Sequence, residues 1–440
     1  MALNHTHDPA AKSWLESANA AGTDFPIQNL PFGVFRRKGS NEAFRGGVAI
    51  GDQVIDLAAV SRAGAVSGLA AQAANAAAKD ALNDLMAMGP AAWSALRHAL
   101  FDLLREGASG PGVQALRAGL VPMADVEYSL PTRVGNYTDF YTSIHHARNV
   151  GRIARPDDPL TSNFQWIPIA YHGRASSVVI SGTPFRRPMG QAMPPGAKAP
   201  VYGACKRLDY ELEMGFYIGQ GNRQGEPVPM AEAEQQIFGM CLLNDWSARD
   251  HQFWEMAPLG PFLGKNFCTT VSPWIVTMEA LEPYRVPFAH PADEPQPLAY
   301  LDSPANRERG GVDVQLEVRL ESKQHRARGL SADRLSATSF RHQYWTIGQM
   351  VTQHTVGGCN LQPGDLLGTG TISGPTYEEA GAIVELSVGG TKQIPLPATG
   401  ESRTFLEDGD AVILRGWCEK PGAARIGFGE SRGEVLPAIG

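Results

Sequence analysis

The sequence has little concentrated positive charge and no long apolar segment. Its 440 residues contain 38 Lys and Arg against 45 Asp and Glu, and the cationic residues form no long run. Binding to nucleic acid or to a membrane surface needs concentrated positive charge, and a bilayer span needs about 20 consecutive apolar residues. The polar first residues are unlike a signal peptide. We therefore expect a cytoplasmic protein that binds neither nucleic acid nor membrane.

Cysteines are also scarce, and the usual nucleotide and zinc motifs are missing. The 5 cysteines are odd in number and widely scattered, which favours buried reduced thiols over disulfides or a zinc site. Two glycine-rich segments, 219–225 and 368–374, read GxGxxxG and are interpreted as turns, not as a dinucleotide fingerprint. The small residues of the second segment could bring backbone N–H groups close to a ligand. The GxSxG at 429–433 has too little chain after it for a catalytic acid and histidine.

The pattern of apolar residues predicts an α+β protein that is mainly β. Alternation in FGVF and GGVAIGDQVIDL predicts β-hairpins, and leucines at 96, 100, 103 and 104 predict an amphipathic helix that ends at Gly107. Proline and polar residues between Leu120 and Gly135 indicate a domain boundary. Strand-like segments such as YELEMGFYIG and IFGMCLLNDW dominate beyond it. We therefore predict an N-terminal domain at 1–130 and a C-terminal domain at 131–440.

The densest polar cluster is the segment YTDFYTSIHHARNVG, residues 137–151. A helix from Asp139 to Gly151 would place Asp139, Ser143 and His146 on one face and would turn His145 about a quarter turn away. The alternative is that Asp139 only caps the helix and that His146 is exposed on the surface. The residues by themselves leave both hypotheses open.

Two carboxylates share one face of the predicted strand in DYELEMGF. Because side chains alternate along a strand, Glu211 and Glu213 project side by side from the face opposite to that of Leu212 and Met214. Such a pair is usually the solvated face of a strand. The competing hypothesis is a site for a divalent cation, since Mg²⁺ and Ca²⁺ prefer oxygen ligands and need several of them.

Further polar residues lie in apolar surroundings. Asp245 ends the strand of LLNDWSARDHQ, and Arg249 and Gln252 follow it at helical spacing. Lys265 is isolated among glycines and apolar residues, and Glu385 lies in the predicted strand AIVELSV. The alternatives are a solvated turn, an exposed lysine and an edge strand that faces solvent, respectively.

The chain strongly resembles the fumarylacetoacetate hydrolase family. The likeness covers essentially the whole chain and is carried by DFYTSIHHARNVG, YHGRASSVVISGTPFRRPMGQ, VYGACKRLDYELEMGF, LLNDWSARDHQFWE, PLGPFLGKNF and GDLLGTGTISGP. It implies an N-terminal SH3-like β-barrel, a larger C-terminal β-sandwich roll that holds the active site, and a homodimer. It also implies hydrolysis of 4-fumarylacetoacetate to fumarate and acetoacetate, the last step of tyrosine and phenylalanine degradation.

The resemblance also implies the ligands of a divalent cation. The carboxylates that match the family's ligands to Mg²⁺ or Ca²⁺ are those of Asp139, Glu211, Glu213 and Asp245. A second Mg²⁺ would lie beside Asp245, Lys265 and Thr269, with the lysine contributing through its backbone.

The catalytic and substrate-binding roles are implied in the same way. His146 matches the family's general base and Glu385 the carboxylate that orients it. The residues that match the group polarising the reacting oxygens are Arg249, Gln252 and Lys265. Those that match substrate contacts are Tyr141, Arg155, Gln252 and Thr371. Met256 stands where the family has a substrate-contacting tyrosine, and its side chain cannot donate that hydrogen bond.

These residue types suit the cleavage of a 1,3-diketone. Water must attack one carbonyl while the departing carbon carries its electron pair as an enolate, which a hard cation stabilises as a Lewis acid. Histidine has the reference pKa nearest neutrality and can accept the proton of the water. Arg155, Arg249 and Lys265 would balance the negative charge of the carboxylates and of an anionic substrate.

Two other functions stay open at this point. One is a related activity with the same cation, such as an acylpyruvate hydrolase or a 2-oxo-acid decarboxylase, which the two-domain length and the pair of His146 and Glu385 disfavour. The other is a non-catalytic protein that binds a metal or a metabolite. Such a protein would need the carboxylates but not His146 beside Lys265 and Glu385.

Overall fold

The computed structural model describes residues 2–439 of the chain, which form a mixture of helices and strands built mainly around sheets. The N-terminal strands are β1 Phe32–Arg37, β2 Arg45–Ile50, β3 Gln53–Asp56, β4 Leu120–Pro122 and β5 Val126–Ser129. They pair antiparallel in the order β4-β3-β2-β1-β5. The hairpins predicted from FGVF and GGVAIGDQVIDL are therefore confirmed.

Helices cover this N-terminal sheet. They are α1 Leu57–Arg62, α2 Gly68–Ala77, α3 Asn83–Ala87, α4 Pro90–Leu104 and α5 Pro111–Ala118. The predicted amphipathic helix is α4, in which Leu96, Leu100 and Leu104 are fully buried. It ends at Leu104 and not at Gly107, because Arg105 is already extended and its N–H closes the last turn on the Phe101 carbonyl.

The remaining strands follow between residues 137 and 436. They are β6 Tyr137–Tyr141, β7 Ile169–His172, β8 Val178–Ile180, β9 Phe185–Arg186, β10 Met189–Ala192, β11 Val201–Ala204, β12 Leu208–Asp209, β13 Leu212–Ile218, β14 Ile237–Asp245, β15 Ser247–Ala248, β16 Thr269–Val271, β17 Val276–Thr277, β18 Arg285–Val286, β19 Gly311–Val312, β20 Gln315–Glu321, β21 Asp333–Ser339, β22 Leu366–Gly368, β23 Ile394–Leu396, β24 Glu401–Arg403, β25 Ala411–Cys418 and β26 Ile426–Leu436.

The helices of this part are short. They are α6 Ile144–Ala154, α7 Arg249–Glu255, α8 Pro304–Arg309, α9 Lys323–Arg328, α10 Ile347–Thr355 and α11 Ile383–Leu386. Single 3-10 turns connect several elements, at His5–His7, Glu16–Asn19, Met123–Asp125, Ala175–Ser177, Ala233–Gln236, Glu282–Tyr284, Ala299–Leu301, Phe340–His342 and Tyr377–Glu379. No helix among residues 2–439 is long and apolar enough to cross a membrane.

Two large sheets organise the C-terminal part. The first has eight strands, in the order β7-β6-β22-β13-β14-β16-β8 with β17 beside β14, and the second has five, in the order β21-β20-β25-β26-β9. Leu212, Met214 and Phe216 on one face of β13 belong to the core shared with the second sheet. Tyr217 on the other face packs with the N-terminal helices and sheet. The first sheet is therefore covered on both faces, as its continuous burial along β13 and β14 requires.

A buried arginine joins the N-terminal segment to helix α4. Arg97 is 1% exposed, and its guanidinium donates to the backbone oxygens of Gln28 and Asn29 at 2.5 Å each and to Thr6 Oγ1 at 3.2 Å. Burial lowers the pKa of Arg97 to about 10, which leaves it charged at neutral pH. The charge is tolerated because each acceptor offsets part of the lost hydration.

We expect Arg97→Ala to lower the free energy of unfolding by about 2–4 kcal/mol, because it leaves buried carbonyl groups without donors and creates a cavity. Urea unfolding followed by tryptophan fluorescence measures the change. Arg62→Ala, at an exposed position of α1, is the control and should shift stability by less than about 0.5 kcal/mol. Equal urea midpoints for the two variants would contradict the stabilising role assigned to the hydrogen bonds of Arg97.

Candidate active site

Four carboxylates converge at one place inside the protein. Asp139, Glu211, Glu213 and Asp245 are all buried, and each offers an oxygen within 4.8 Å of those of the other three. They come from β6, from the residue before β13, from β13 and from the end of β14. The hypothesis that Glu211 and Glu213 form a solvated strand face is therefore wrong, because their face is covered.

Strand register brings these side chains together. Asp139 on β6 lies beside Gly368 on β22, which in turn lies beside Gly215 on β13, so Asp139 and Glu213 share one face of the sheet. A Cβ on residue 368 would lie 2.6 Å from Asp139 Oδ1 and 3.0 Å from Glu213 Oε2. Glycine at this position leaves the gap in which the two carboxylates meet.

The predicted helix from Asp139 to Gly151 begins later. Residues Tyr137–Tyr141 are strand β6 because their backbone pairs with β22 on one side and with β7 on the other. Helix α6 starts at Ile144, and its cap is Ser143, whose Oγ accepts from the His146 N–H at 3.3 Å. Asp139 therefore reaches the site from a strand and caps no helix, and His146 is buried, not exposed.

Two cationic side chains, those of Lys265 and Arg249, lie among the carboxylates. Lys265 Nζ contacts Glu211 Oε2 and lies 2.7 Å from Asp245 Oδ2, and Arg249 Nη1 lies 2.8 Å from Glu211 Oε1. Burial alone would raise the pKa of Glu211, but Lys265 and Arg249 outweigh it and lower that pKa to about 2. The same contacts raise the pKa of Lys265 against the opposing effect of burial. Lys265 is thus buried and charged, and the alternative of an exposed lysine is wrong.

Two members of the cluster, Asp139 and Glu213, are less fully hydrogen-bonded than the others. Asp139 Oδ1 and Glu213 Oε1 are buried and have no hydrogen-bond partner among residues 2–439. Burial, together with the neighbouring carboxylates, raises the pKa of both groups well above the usual range. The other Glu213 oxygen, Oε2, accepts the Gly370 N–H at 2.9 Å. Clustered carboxylate oxygens are the donor set that suits a hard divalent cation, so these four residues fit such an ion.

Asp245 is the most fully bonded member of the cluster. Its Oδ2 accepts from Lys265 and from the Tyr171 hydroxyl at 2.8 Å, and its Oδ1 accepts from Thr269 Oγ1 at 3.2 Å. Thr269 stands opposite Asp245 in the pairing of β14 with β16. The structure therefore brings Thr269 and Lys265 to the carboxylate beside which the second Mg²⁺ was predicted.

A histidine and a carboxylate pair beside this cluster. His146 Nδ1 lies 2.7 Å from Glu385 Oε1, and His146 Nε2 lies 4.0 Å from Glu211 Oε1. Burial would raise the pKa of Glu385, but His146 and further hydrogen-bond donors lower it. An ionised Glu385 accepts a hydrogen bond from Nδ1–H of His146, so Nε2 is the ring nitrogen on the side of Glu211.

Glu385 belongs to a helical turn and not to the predicted strand. AIVELSV contains α11, Ile383–Leu386, because the Ile383 and Val384 N–H groups donate to the carboxylate of Asp209 instead of to a neighbouring strand. The turn aims Glu385 at His146, and the carboxylate is also held by Ser373 Oγ at 2.9 Å and by Asn149 Nδ2 at 2.8 Å. Donors on His146, Ser373 and Asn149 thus fix the position of the Glu385 carboxylate.

The remaining predicted substrate contacts lie on β6, on α7, just after α6 and in the loop after β22. The Tyr141 ring packs edge-on against His146 with 5.6 Å between centroids, and Gln252 Oε1 accepts from Arg249 Nη1 at 3.2 Å. Thr371 is buried in the loop that follows β22. Arg155 is exposed just after α6. Burial raises the pKa of Tyr141, and the nearby charge of Arg155 opposes part of that rise. Met256 is 43% exposed after α7.

Tyr171, Asn149 and Ser373 were missed from the sequence. Asn149 had a signal, since it follows His146 by three residues and therefore shares its helix face. Ser373 lies in segment 368–374, which the sequence singled out only for its backbone N–H groups. Tyr171 had no signal, because its contact with Asp245 is distant in sequence. The GxSxG at 429–433 lies inside strand β26 and not at a turn from a strand to a helix.

Comparisons with known proteins agree with this geometry. Residues 28–131 match the fumarylacetoacetase N-terminal family, and residues 136–435 match the fumarylacetoacetate (FAA) hydrolase C-terminal family. The fumarylacetoacetase of Homo sapiens is 48% identical over 428 residues, which cover 96% of this chain and 98% of that protein. The fumarylacetoacetase of Oryza sativa subsp. japonica is 48% identical over 427 residues, which cover 96% of each protein.

A solved structure shares the fold. It is the fumarylacetoacetate hydrolase from psychrophilic Exiguobacterium antarcticum, with a TM-score of 0.50 and 17% identity, covering 93% of this chain and 99% of that one. Similarity at this level concerns the fold alone. The matches of both parts of the chain and the near full-length relatives are decisive: this chain belongs to the fumarylacetoacetate hydrolase family.

Proposed function

We propose that this protein is a hydrolase that cleaves the carbon–carbon bond of 4-fumarylacetoacetate to give fumarate and acetoacetate. The observation that carries the proposal is the buried pair of His146 and Glu385, whose free imidazole nitrogen faces a cluster of carboxylates 4.0 Å away. A protein that only bound a metal would need the carboxylates but no oriented base. The relatives at 48% identity are fumarylacetoacetases, which supports this substrate over other diketones.

The imidazole of His146 is placed to accept a proton at Nε2. Its Nδ1 proton is donated to Glu385, which fixes the tautomer and stabilises the imidazolium that forms. The water that loses this proton attacks the carbonyl carbon, and the bond to the neighbouring carbon breaks with its electron pair on the leaving fragment. His146 then returns a proton to that carbon, so the base is regenerated.

A divalent cation would be held by Asp139, Glu211, Glu213 and Asp245. We propose Mg²⁺ or Ca²⁺, because the donor set is all oxygen and lacks the nitrogen and sulfur ligands that zinc prefers. When bound, the cation supplies Lewis-acid stabilisation of the enolate charge. A second Mg²⁺ beside Asp245, Thr269 and the backbone of Lys265 is proposed with it.

Cationic and polar side chains act on the substrate oxygens. Arg249 and Lys265 are buried against Glu211, so their charge is held in a poorly hydrated site where it acts strongly on a developing oxyanion. Gln252 is hydrogen-bonded to Arg249 and completes this group. We assign substrate contacts to Tyr141, Arg155, Gln252 and Thr371, with the exposed guanidinium of Arg155 paired to a substrate carboxylate.

The finer description of the fold and assembly belongs to the same proposal. We assign residues 1–130 to an SH3-like barrel domain, supported by the antiparallel order β4-β3-β2-β1-β5, and residues 131–440 to a catalytic β-sandwich roll, supported by the packing of the two large sheets. We expect the protein to be a homodimer, as the family implies, and to be located in the cytoplasm.

Turnover of the substrate tests the function directly. We expect purified protein with Mg²⁺ or Ca²⁺ to abolish the ultraviolet absorbance of the 1,3-diketone in fumarylacetoacetate, with fumarate and acetoacetate formed in equal amounts. Product quantification by chromatography checks the stoichiometry, and an acylpyruvate serves as the comparison substrate. Absence of turnover with metal present, or faster turnover of the acylpyruvate, would reject the proposed substrate.

Removal of the metal tests the carboxylate cluster. We expect a chelator to abolish activity and Mg²⁺ or Ca²⁺, but not preferentially Zn²⁺, to restore it. In calorimetry, Glu213→Gln should weaken Ca²⁺ binding by at least tenfold, since it removes one charged ligand. Glu226→Gln, at an exposed position, is the control and should bind Ca²⁺ like the wild type. Full activity in a demonstrably metal-free preparation would rule out the assigned site.

Substitution of the base separates catalysis from metal binding. We expect His146→Ala to lower kcat by ~10²–10⁴, the usual contribution of general base catalysis, with little change in metal affinity. Glu385→Gln should also lower kcat, and the losses of the double variant should be far from additive because the two residues act as one unit.

His145→Ala is the matched control for the adjacent position. Its ring points to His342, with 6.0 Å between centroids, and not to Glu385. We expect a mild effect on kcat. An inactive His145 variant beside an active His146 variant would reverse the assignment, and fully additive losses for His146 and Glu385 would reject their pairing.

A further inference from the structure

Asp209 has no assigned role in the reaction, yet it is completely buried two residues before Glu211. Its carboxylate accepts hydrogen bonds from three separate parts of the protein. Oδ2 accepts from Arg249 Nε at 2.8 Å and from the Val384 N–H at 3.1 Å, and Oδ1 accepts from the Ile383 N–H at 2.7 Å. Oδ1 also accepts from the N–H of Tyr210 at 2.8 Å.

These donors belong to the two halves of the catalytic machinery. The guanidinium of Arg249 contacts both Asp209 and Glu211, and its Nη1 lies 2.8 Å from Glu211 Oε1. Ile383 and Val384 are the first two residues of the turn α11, which carries Glu385 to its 2.7 Å contact with His146. One carboxylate therefore contacts the residue that polarises the substrate and the backbone that presents the partner of the base.

The local chemistry makes these contacts specific to a carboxylate group. Every group directed at Asp209 is an N–H donor, and each oxygen accepts two of them. The first turn of a helix has backbone N–H groups without partners inside the helix, and a buried turn must satisfy them. An asparagine at position 209 would direct its NH₂ group at Arg249 Nε–H or at the backbone N–H groups of α11, so that donors would face donors.

We propose that Asp209 is a positioning residue of this active site, which holds the Arg249 guanidinium against Glu211 and the turn of Glu385 against His146. The inference deepens the proposed function and rests on it. Asp209 touches neither the substrate nor the reacting atoms, so it acts on the rate through the residues that it holds. A shift of about 1 Å in such supporting contacts is enough to lower the rate of a reaction that depends on orientation.

The test is Asp209→Asn in the complete protein with its metal, compared with wild type in the fumarylacetoacetate assay. We expect kcat per folded molecule to fall by at least tenfold, with KM changed by less than threefold because no substrate contact is removed. Wild type that fails to turn over fumarylacetoacetate would refute the proposed function, whereas active wild type beside an Asp209→Asn variant with kcat within twofold would refute only the role of Asp209.

Asp410→Asn is the matched control for a purely structural loss. Asp410 is 1% exposed and accepts from Arg403 Nε at 2.8 Å and from the Glu407 N–H at 2.9 Å, so it is also a buried carboxylate that holds an arginine and a backbone N–H, but outside the active site. It should lower the melting temperature while kcat per folded molecule stays within twofold of wild type. Equal losses of kcat in the two variants would overturn the proposal.

A backbone variant decides the question if Asp209→Asn does not fold. Ile383→Pro removes the N–H that donates to Asp209 Oδ1 at the first residue of a helical turn, where proline is tolerated, and the preceding Ala382 is already extended. Compared with Ile383→Val, which keeps the N–H, it should lower kcat at least fivefold. A ratio within twofold would overturn the role of Asp209.

Discussion

The burial of like charges is the constraint on which the site depends. Four carboxylates lie with oxygens within 4.8 Å of one another and away from solvent, so their mutual repulsion is poorly screened. Lys265 and Arg249 offset part of it through Glu211 and Asp245. Both cations are buried with their partners, and the loss of either would leave an uncompensated charge in the interior. The oxygens that stay unpartnered, on Asp139 and Glu213, are where a divalent cation would complete the balance.

One short segment connects this cluster to the pair of His146 and Glu385. Strand β22 ends at Gly368, whose missing side chain makes room for Asp139 and Glu213. Two residues later the Gly370 N–H donates to Glu213, and Ser373 Oγ donates to Glu385. Gly370 adopts a φ of 76° and passes close to the backbone of Phe140, where a side chain would collide. The same loop therefore holds both the carboxylate of Glu213 and the carboxylate of Glu385, which pairs with His146.

Rigid elements hold the site from several directions. Asp139, Glu213 and Asp245 stand on central strands of a sheet covered on both faces, where a shift in register would move a carboxylate to the opposite face. His146 and Glu385 come from two helical segments that meet 239 residues apart in sequence. Tyr171, on β7, reaches Asp245 across the sheet. The geometry is thus a property of the assembled sheets and not of a single motif.

The sequence by itself determined what each segment can present locally. Period-two alternation put Glu211 and Glu213 on one face, helical spacing put Gln252 beside Arg249, and both follow from backbone geometry that neighbouring residues fix. Tertiary structure decided the rest. Tyr137–Tyr141 became a strand because β7 and β22 supply its hydrogen bonds, and the residues around Glu385 became a turn because Asp209 accepts their N–H groups. Whether a carboxylate is solvated or buried with a lysine depends on strands that are distant in the chain, and no local pattern encodes their arrival.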